Sequence, residues 1–529
     1  MQMSLLRKVK SLHTTVPFVF FSVLSALLIV LAACTSSSPT NTQSKYTGNI
    51  KVGLSSDILT LDPLKSAALV DRQVMFNIYD TLVRVNQQNT IEPDLATSWS
   101  YLSPTQLVFT LRTDVKFQDG TRFDANAVVF NINRILSDKA SPRHSEISAV
   151  KSVAARDSSH VEFTLKQPFS PLLATLTDRA GMMLSPTAVQ KLGANLSNNA
   201  PDAGSGPFIF VNWVKGDHLT LKRNPHYWMK DSQGNALPYL QSIIYHPIVN
   251  GSVMYSNLET GTINAADSVD PNNVATARSN SSLVYKQIPG LSFYGMMLNT
   301  KASPLDNVHV RRAIEWSVNR QEIVANVLKG IGTVAQGPLA ASSWAYDNNF
   351  APYSYNINKA KAELALGNHP NGITFTLIVG SGSPLLTQEA QFLQSELQPA
   401  GITLEIKQET SAAQLNDTET HNFQAALLLW SGRPDPDGNM YAWFHTGGGF
   451  NWMQYSNPHV DALLEAARTS SDQAQRMIDY QQAQQLLLQD APFVFINHGV
   501  SVQATTNKVK NFPLRPIGIL DFTQVYSAA

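Results

Sequence analysis

The nine residues from Ser431 to Asn439 gather the side chains best suited to chemistry: Arg433, Asp435, Asp437 and Asn439, separated by Gly432, Pro434, Pro436 and Gly438. Gly and Pro at that density mark a turn, and turns are where folded chains present charged groups. Arg433 is suited to grip a carboxylate, a phosphate or another anion bidentately. The alternative is an ion pair with Asp435 or Asp437 that serves only structure. Asp435, Asp437 and Asn439 have the opening spacing of an EF-hand loop, but Met440 and Thr446 stand where that loop needs Gly and Glu. Trp430, just before the turn, either stacks on a ligand or belongs to the core.

Catalytic patterns are absent or broken. No Gly-Lys dipeptide exists for a Walker loop, and no His-Glu pair exists for a HExxH metalloprotease. Gly290–Tyr294 fails the G-x-S-x-G elbow at its last position. Ser148 and Lys151 form an S-x-x-K, the basis of a serine-hydrolase alternative, but no K-T-G follows. The 12 histidines include no His-x-His, and the single cysteine excludes internal disulfides, cysteine zinc sites and Fe–S clusters. Lys+Arg and Asp+Glu balance at 39 each, so no basic field recruits nucleic acid. Binding is what remains.

The elements that must position this turn are legible around it. Phe423–Trp430 is a continuous apolar run of strand length, expected to be buried on both faces. Strand Ile373–Val379, helix Gln388–Gln398 and strand Ile402–Ile406 imply a parallel βαβ unit. Further upstream, Ile50–Leu54 reads as an opening strand. Val70, Val74, Ile78 and Leu82 suit one face of a helix over Val70–Val83, and Asp124 is placed to cap the helix that follows it. At 529 residues, two or three domains are expected.

The N-terminus reads as an export signal. Arg7, Lys8 and Lys10 precede the apolar run Val16–Leu31, followed by Ala32, Ala33 and Cys34. The L-A-A-C ending resembles a bacterial lipobox, which implies lipidation of Cys34. Ser36–Ser44 reads as a flexible tether. An uncleaved membrane anchor is the alternative. Either way the folded part is expected outside the cytoplasm, beside a membrane.

Trp99, and then Leu111, Arg112, Val115, Phe117, Asp119, Gly120, Phe123 and Asp124 in register, resemble the signature of family 5 extracellular solute-binding proteins, the peptide, dipeptide and nickel receptors of ABC importers. Gly204–Phe210 and Leu219–Trp228 resemble that family's Gly-x-Gly-Pro-aromatic turn and Arg-Asn-Pro-x-Tyr-Trp hairpin, and Val308–Val318 resembles its start of the second lobe. The resemblance covers nearly all of the chain after the tether. It implies an α/β, two-lobed periplasmic-binding-protein-like fold of type II, in the large cluster with an extra subdomain and two hinge crossings. Its expected divisions are a signal peptide over 1–33, Cys34 and tether over 34–47, lobe I over 48–290 plus 499–529 with the extra subdomain at about 70–200, and lobe II over 291–498.

The function implied is capture of an oligopeptide or peptide-like solute and delivery to the membrane subunits of an ABC permease. It implies a monomer held at the membrane by lipid, with no cofactor and no bond made or broken. In peptide-binding relatives an aspartate three residues after the matching tryptophan holds the peptide amine; here that position is Arg433, which turns the expectation toward an anion. The implied ligand-binding set is Thr60, Tyr294, Asn299, Ser381, Ser383, Trp430, Arg433 and Asp435. A nickel-chelate, haem or oligosaccharide receptor is the alternative among binders, and a peptide chaperone or signalling receptor the alternative without a transporter.

Overall fold

The computed structural model describes residues 48–528. The expected signal peptide, lipidated Cys34 and tether lie outside the described residues. No helix among the described residues is long and apolar enough to cross a membrane.

Two large sheets organise this part of the chain. One has seven strands in the order Leu283–Pro289, Val500–Thr506, Ala265–Ala266, Asn49–Leu54, Ser242–Pro247, His218–Arg223 and Phe208–Val214. The other has six, in the order Thr333–Val334, Phe493–His498, Phe293–Leu298, Ala425–Trp430, Ile373–Gly380 and Ile402–Glu409. A four-stranded antiparallel sheet, Ala96–Ser103, Gln106–Leu111, His160–Leu165 and Val150–Ala155, has its own core around Phe109 and Phe163, whose rings meet edge-on at 5.3 Å.

The chain passes from the first large sheet to the second between Pro289 and Phe293, and returns between His498 and Val500. The two crossings lie against each other. The Gly290 amide donates to the Gly499 carbonyl at 3.1 Å, and the Gly499 amide donates to Ser292 Oγ at 3.2 Å.

Period-two alternation explains how the second sheet buries both faces. Phe293 and Trp430 sit opposite each other on one face, packed with Trp443, Phe450 and Phe493. Tyr294, Leu427 and Leu298 face the other side, with Leu377 and Val494. The parallel βαβ unit forms as the sequence implies, with Ile373 registered on Ile402 and helix Pro384–Leu397 between. Asp124 caps helix Ala125–Ser137, accepting from the Ala127 amide at 3.0 Å.

Two expectations are corrected. The helix read over Val70–Val83 spans only Leu69–Met75, although Ile78 and Leu82 are buried. Beyond it the Asn77 and Ile78 carbonyls instead accept from the Phe208 and Gly206 amides, so the chain leaves the helix to join that segment. The 425–430 strand is not buried on both faces throughout, since Leu429 is 48% exposed. Its parallel neighbour pairs with it only at Ala425 and Ala426, so that side opens toward the strand's end.

Candidate ligand site

The turn after Trp430 is shaped by Asn439. Its Oδ1 accepts from the Trp430 indole N–H at 2.9 Å and from the Arg433 amide at 2.8 Å, while its Nδ2 donates to the Arg433 carbonyl at 2.9 Å. Gly432 has φ +78°, and a Cβ there would lie 2.4 Å from the Leu291 backbone, so the turn presses directly on the first crossing. Trp430 is 3% exposed, in ring contact with Trp443 and Phe450, and the Arg433 guanidinium lies 4.2 Å over its ring. Trp430 is thus a buried platform that orients Arg433.

Arg433 takes neither of the ion pairs open to it on its own turn. Asp435 pairs with Arg476 at 2.6 Å and Asp437 with Arg468 at 3.1 Å. Arg433 instead reaches across to Asp178, its Nε 3.5 Å from the carboxylate, while its Nη1 donates to Ser431 Oγ and the Gly432 carbonyl.

Asp178 is the anionic centre of a buried arginine cluster. It caps the short turn Arg179–Gly181 by accepting from the Arg179 amide at 2.7 Å, and Arg72 Nη2 lies 2.7 Å from its other oxygen. Burial opposes its charge, but the guanidiniums of Arg433, Arg72 and Arg179 outweigh burial and hold the carboxyl far below the usual carboxylate range. Burial, reinforced by Arg433 and Arg179, pulls Arg72 down to about 9 against the pull of Asp178. Arg143, on the turn Pro142–Glu146, is fully buried beside Glu146 at 3.1 Å and lies 5.5 Å from the Phe450 ring centre; burial pulls it down to about 9. All three are charged at neutral pH.

The network continues to the loop after the first strand. Arg179 Nη1 donates to Ser66, whose hydroxyl donates to Asp71, and Asp71 accepts from the amides of Leu59 and Thr60. Burial raises Asp71 to about 6, against those hydrogen bonds and Arg179. Around this centre the segments 142–178 and 433–470 meet along a seam. The Ser170 amide donates to the Arg468 carbonyl at 2.9 Å, and Arg468 lies 4.7 Å from the Phe169 ring.

The structure brings Thr60, Trp430, Arg433 and Asp435 into this network. Thr60 is 8% exposed and its Oγ1 accepts from the Asp62 amide at 3.1 Å. Ser381 and Ser383 stand elsewhere at the end of their strand, with Ser383 Oγ capping helix Pro384–Leu397. Beside them Gly382 approaches Val249 of the first sheet's side; a Cβ would lie 3.1 Å from its methyl. Tyr294 turns inward and donates to Glu389 at 2.7 Å. Asn299 follows the far end of the strand Phe293–Leu298, about 20 Å from Phe293 by strand rise, and donates to the Phe423 carbonyl at 2.9 Å. Ser148 lies in a turn before strand Val150–Ala155 and Lys151 points to solvent, so the S-x-x-K pair does not share a helical turn. Among the described residues no group of three or more His, Cys, Asp or Glu is placed to hold a metal.

Arg72, Arg143, Asp178 and Arg179 are the residues that sequence reasoning missed. One signal was present: Asp178 and Arg179 are the two charged residues in the stretch from Leu172 to Leu184, and charges in such a stretch are buried only when paired.

Comparison with known proteins agrees with this architecture. Residues 90–451 match the family described as bacterial extracellular solute-binding proteins, family 5 Middle. The probable D,D-dipeptide-binding periplasmic protein DdpA of Escherichia coli is 30% identical over 482 residues, covering 88% of this chain and 91% of that protein. The glutathione-binding protein GsiB of Pectobacterium atrosepticum is 27% identical over 484 residues, covering 89% and 92%. Among solved structures, DppA from Helicobacter pylori in complex with peptide STSA matches with a TM-score of 0.84 at 27% identity, covering 92% of this chain and 99% of that one. The oligopeptide-binding protein AppA of Bacillus subtilis, in complex with a nonapeptide, matches with a TM-score of 0.84 at 25% identity, covering 91% and 99%. The fold is the two-lobed, type II periplasmic-binding arrangement.

Proposed function

This chain belongs to the bacterial extracellular solute-binding proteins of family 5, and from that membership we propose that it captures oligopeptides or peptide-like solutes between its lobes and delivers them to the membrane subunits of an ABC importer. The observation that carries the reading is the meeting of Arg433 and Asp178 across the two-lobed fold, at the turn that follows Trp430. A solute bound there touches both lobes, so its binding free energy favours the closed form. The proposed lobes are 48–290 with 499–529, carrying the extra subdomain at about 70–200, and 291–498. The paired crossings at 290–292 and 499 supply the hinge.

The same reading places the protein outside the cytoplasm, exported by the N-terminal signal and held at the membrane by lipid on Cys34. It acts as a monomer, and it releases its solute unchanged rather than transforming it. The solutes for which the relatives are named, a D,D-dipeptide, glutathione and peptides, support a peptide-like solute over a sugar or a metal chelate.

The experiment is a thermal-shift and calorimetric screen of the purified protein against di- to nonapeptides, oligosaccharides and nickel chelates. A ligand at about a hundred times its Kd adds about 2.7 kcal/mol of stability, a shift of a few degrees. Peptide responses support the reading. A response confined to sugars or chelates replaces the solute class while leaving the receptor role.

A further inference from the structure

A groove of about 790 Å³ runs along the seam between the two proposed lobes. Lys65, Asp138 and residues 140–142 form one wall, and Lys301, Glu419, His421 and the loop 446–456 form the other. The groove shares no lining residue with the space beside Arg433, so it is a separate feature of the fold. Its volume falls in the range of about 300–1,000 Å³ that small-molecule sites occupy.

Both walls are built. The Lys65 amide donates to the Asp62 carbonyl at 3.0 Å, and the Ser141 hydroxyl donates to the Leu64 carbonyl, which fixes Lys65 to the turn beside it. Opposite, Gly449 lets the 446–456 loop close on that turn: a Cβ there would lie 2.5 Å from Ser145 Oγ and 3.2 Å from the Pro142 carbonyl oxygen. Trp452 is 8% exposed, in ring contact with Trp443 and Phe450, and its carbonyl accepts from His421 Nδ1 at 2.8 Å. Its indole N–H has no hydrogen-bond partner among the described residues and, unlike that of Trp443, is not sealed from solvent, so it opens on the groove.

The charges of the groove are unpaired. Among the described residues Lys65, Lys301, Asp138 and Glu419 take part in no ion pair. Two cations and two anions thus face one space without neutralising one another. Partial burial raises the Glu419 carboxyl, and no cation opposes it. Asp138 is partly committed, its Oδ1 accepting from the Ala140 amide at 3.1 Å. A solute with one charge meets as much repulsion as attraction here, whereas one with both signs can set each end against its complement.

We propose that this groove is a second binding site and takes a zwitterion with separated ends, a free-ended short peptide, its ammonium on Glu419 and its carboxylate between Lys65 and Lys301. The site goes beyond the solute reading above, because it does not depend on what the turn after Trp430 holds. Lys65 and Glu419 lie on different walls, so the occupant bridges both lobes and favours their closed form.

Isothermal titration calorimetry on the full-chain protein tests this with three probes that lack side chains. Gly-Gly-Gly has both charged ends, N-acetyl-Gly-Gly-Gly the acid alone, and Gly-Gly-Gly amide the amine alone. Each is titrated into wild type, the double variant Lys65→Gln/Lys301→Gln, Glu419→Gln and Arg433→Gln. The three groove side chains reach solvent, so replacing them leaves the fold intact. Gly-Gly-Gly is expected to bind at least about fivefold more tightly than either capped probe, the scale of one half-exposed ion pair. The lysine variant should weaken Gly-Gly-Gly and N-acetyl-Gly-Gly-Gly by a similar factor without weakening the amide. Glu419→Gln should weaken Gly-Gly-Gly and the amide without weakening N-acetyl-Gly-Gly-Gly. Damage to the fold weakens all three probes together, so the crossed pattern marks contact with the two ends. Arg433→Gln should leave this binding unaltered. Binding of Gly-Gly-Gly that is lost in Arg433→Gln but unaltered in the groove variants overturns the second site and supports the solute reading at the turn. Equal binding of capped and uncapped probes, or no binding of Gly-Gly-Gly, also overturns the second site. Neither result touches the solute reading, which stands on the screen of longer peptides.

Discussion

Arg433 and Asp178 face each other at 3.5 Å from opposite sides of the two crossings, each nine-tenths or more buried. Their roles are unequal. Asp178 serves Arg72, Arg179 and Arg433 together, whereas Arg433 has Trp430, Ser431 and Gly432 besides. Removing Asp178 leaves three guanidiniums without their shared counter-charge; removing Arg433 leaves Asp178 with two. Asp178→Ala is therefore expected to destabilise by about 3–5 kcal/mol, the cost of an uncompensated buried charge, and Arg433→Gln by less than half as much. Urea denaturation midpoints at neutral pH measure both, and equal losses would contradict this division of roles.

Trp430 is expected to act through packing. Trp430→Ala removes a ring in contact with Trp443 and Phe450 and should cost about 3–5 kcal/mol, with loss of ligand binding following from displacement of Arg433. Trp430→Phe keeps an aromatic face but leaves Asn439 without the indole donor, for about 1–2 kcal/mol. Denaturation together with ligand titration separates the two: a Phe variant with native stability and no binding would make the indole a direct ligand contact instead.

Gly432 and Gly447 have nearly the same backbone angle, φ +78° and +76°, in different surroundings. A Cβ at Gly447 meets nothing within 4 Å, whereas one at Gly432 strikes the Leu291 backbone at 2.4 Å. Gly447→Ala should cost about 1 kcal/mol, from the left-handed conformation alone. Gly432→Ala should cost more than twice that and weaken solute binding, because it pushes the turn off the first crossing. Matched denaturation midpoints for the two variants would refute the close approach.

Glu389 gives a pH signature. Burial raises it to about 7, and its one side-chain hydrogen bond, from Tyr294, only partly offsets this. In the unfolded chain the group ionises near 4.5. Between these values the folded state holds a proton that the unfolded state has released, so stability falls as pH rises from about 4.5 to about 7. Glu389→Gln, neutral throughout, should lose this component, worth about 3 kcal/mol across the window. Melting temperatures of both proteins at pH 5 and pH 7.5 check the sign: the variant should gain relative to wild type at the higher pH. Asp71 and Asp437, both raised to about 6, impose the same trend on both proteins and cancel in the comparison.

By itself the sequence determined what depends on local pattern. Apolar runs and their turns placed the strand ending at Trp430 and the parallel unit over 373–406, and Asp124 announced its helix because a cap is a contact within three residues. The turn read over Ser431–Asn439 was legible only in its first part: Asp437–Asn439 open the helix Asp437–Phe444, and Arg433, Asp437 and Asn439 are buried. Tertiary structure alone decided the partners. Whether Arg433 meets Asp435, Asp437 or a third carboxylate depends on how the two lobes close, and the third, Asp178, is invisible to any local window. Tyr294 lies on the strand Phe293–Leu298 and Asn299 just follows it, yet one turns inward to Glu389 and the other sits a strand's length away, since period and register say which face a side chain takes but not what lies against it. The helix read beyond Met75 failed on the same ground: Ile78 and Leu82 keep a helical spacing, but their backbone groups found better acceptors and donors in another segment. Charge is long-ranged and burial is collective, so the site's electrostatics exist only once the whole chain has folded.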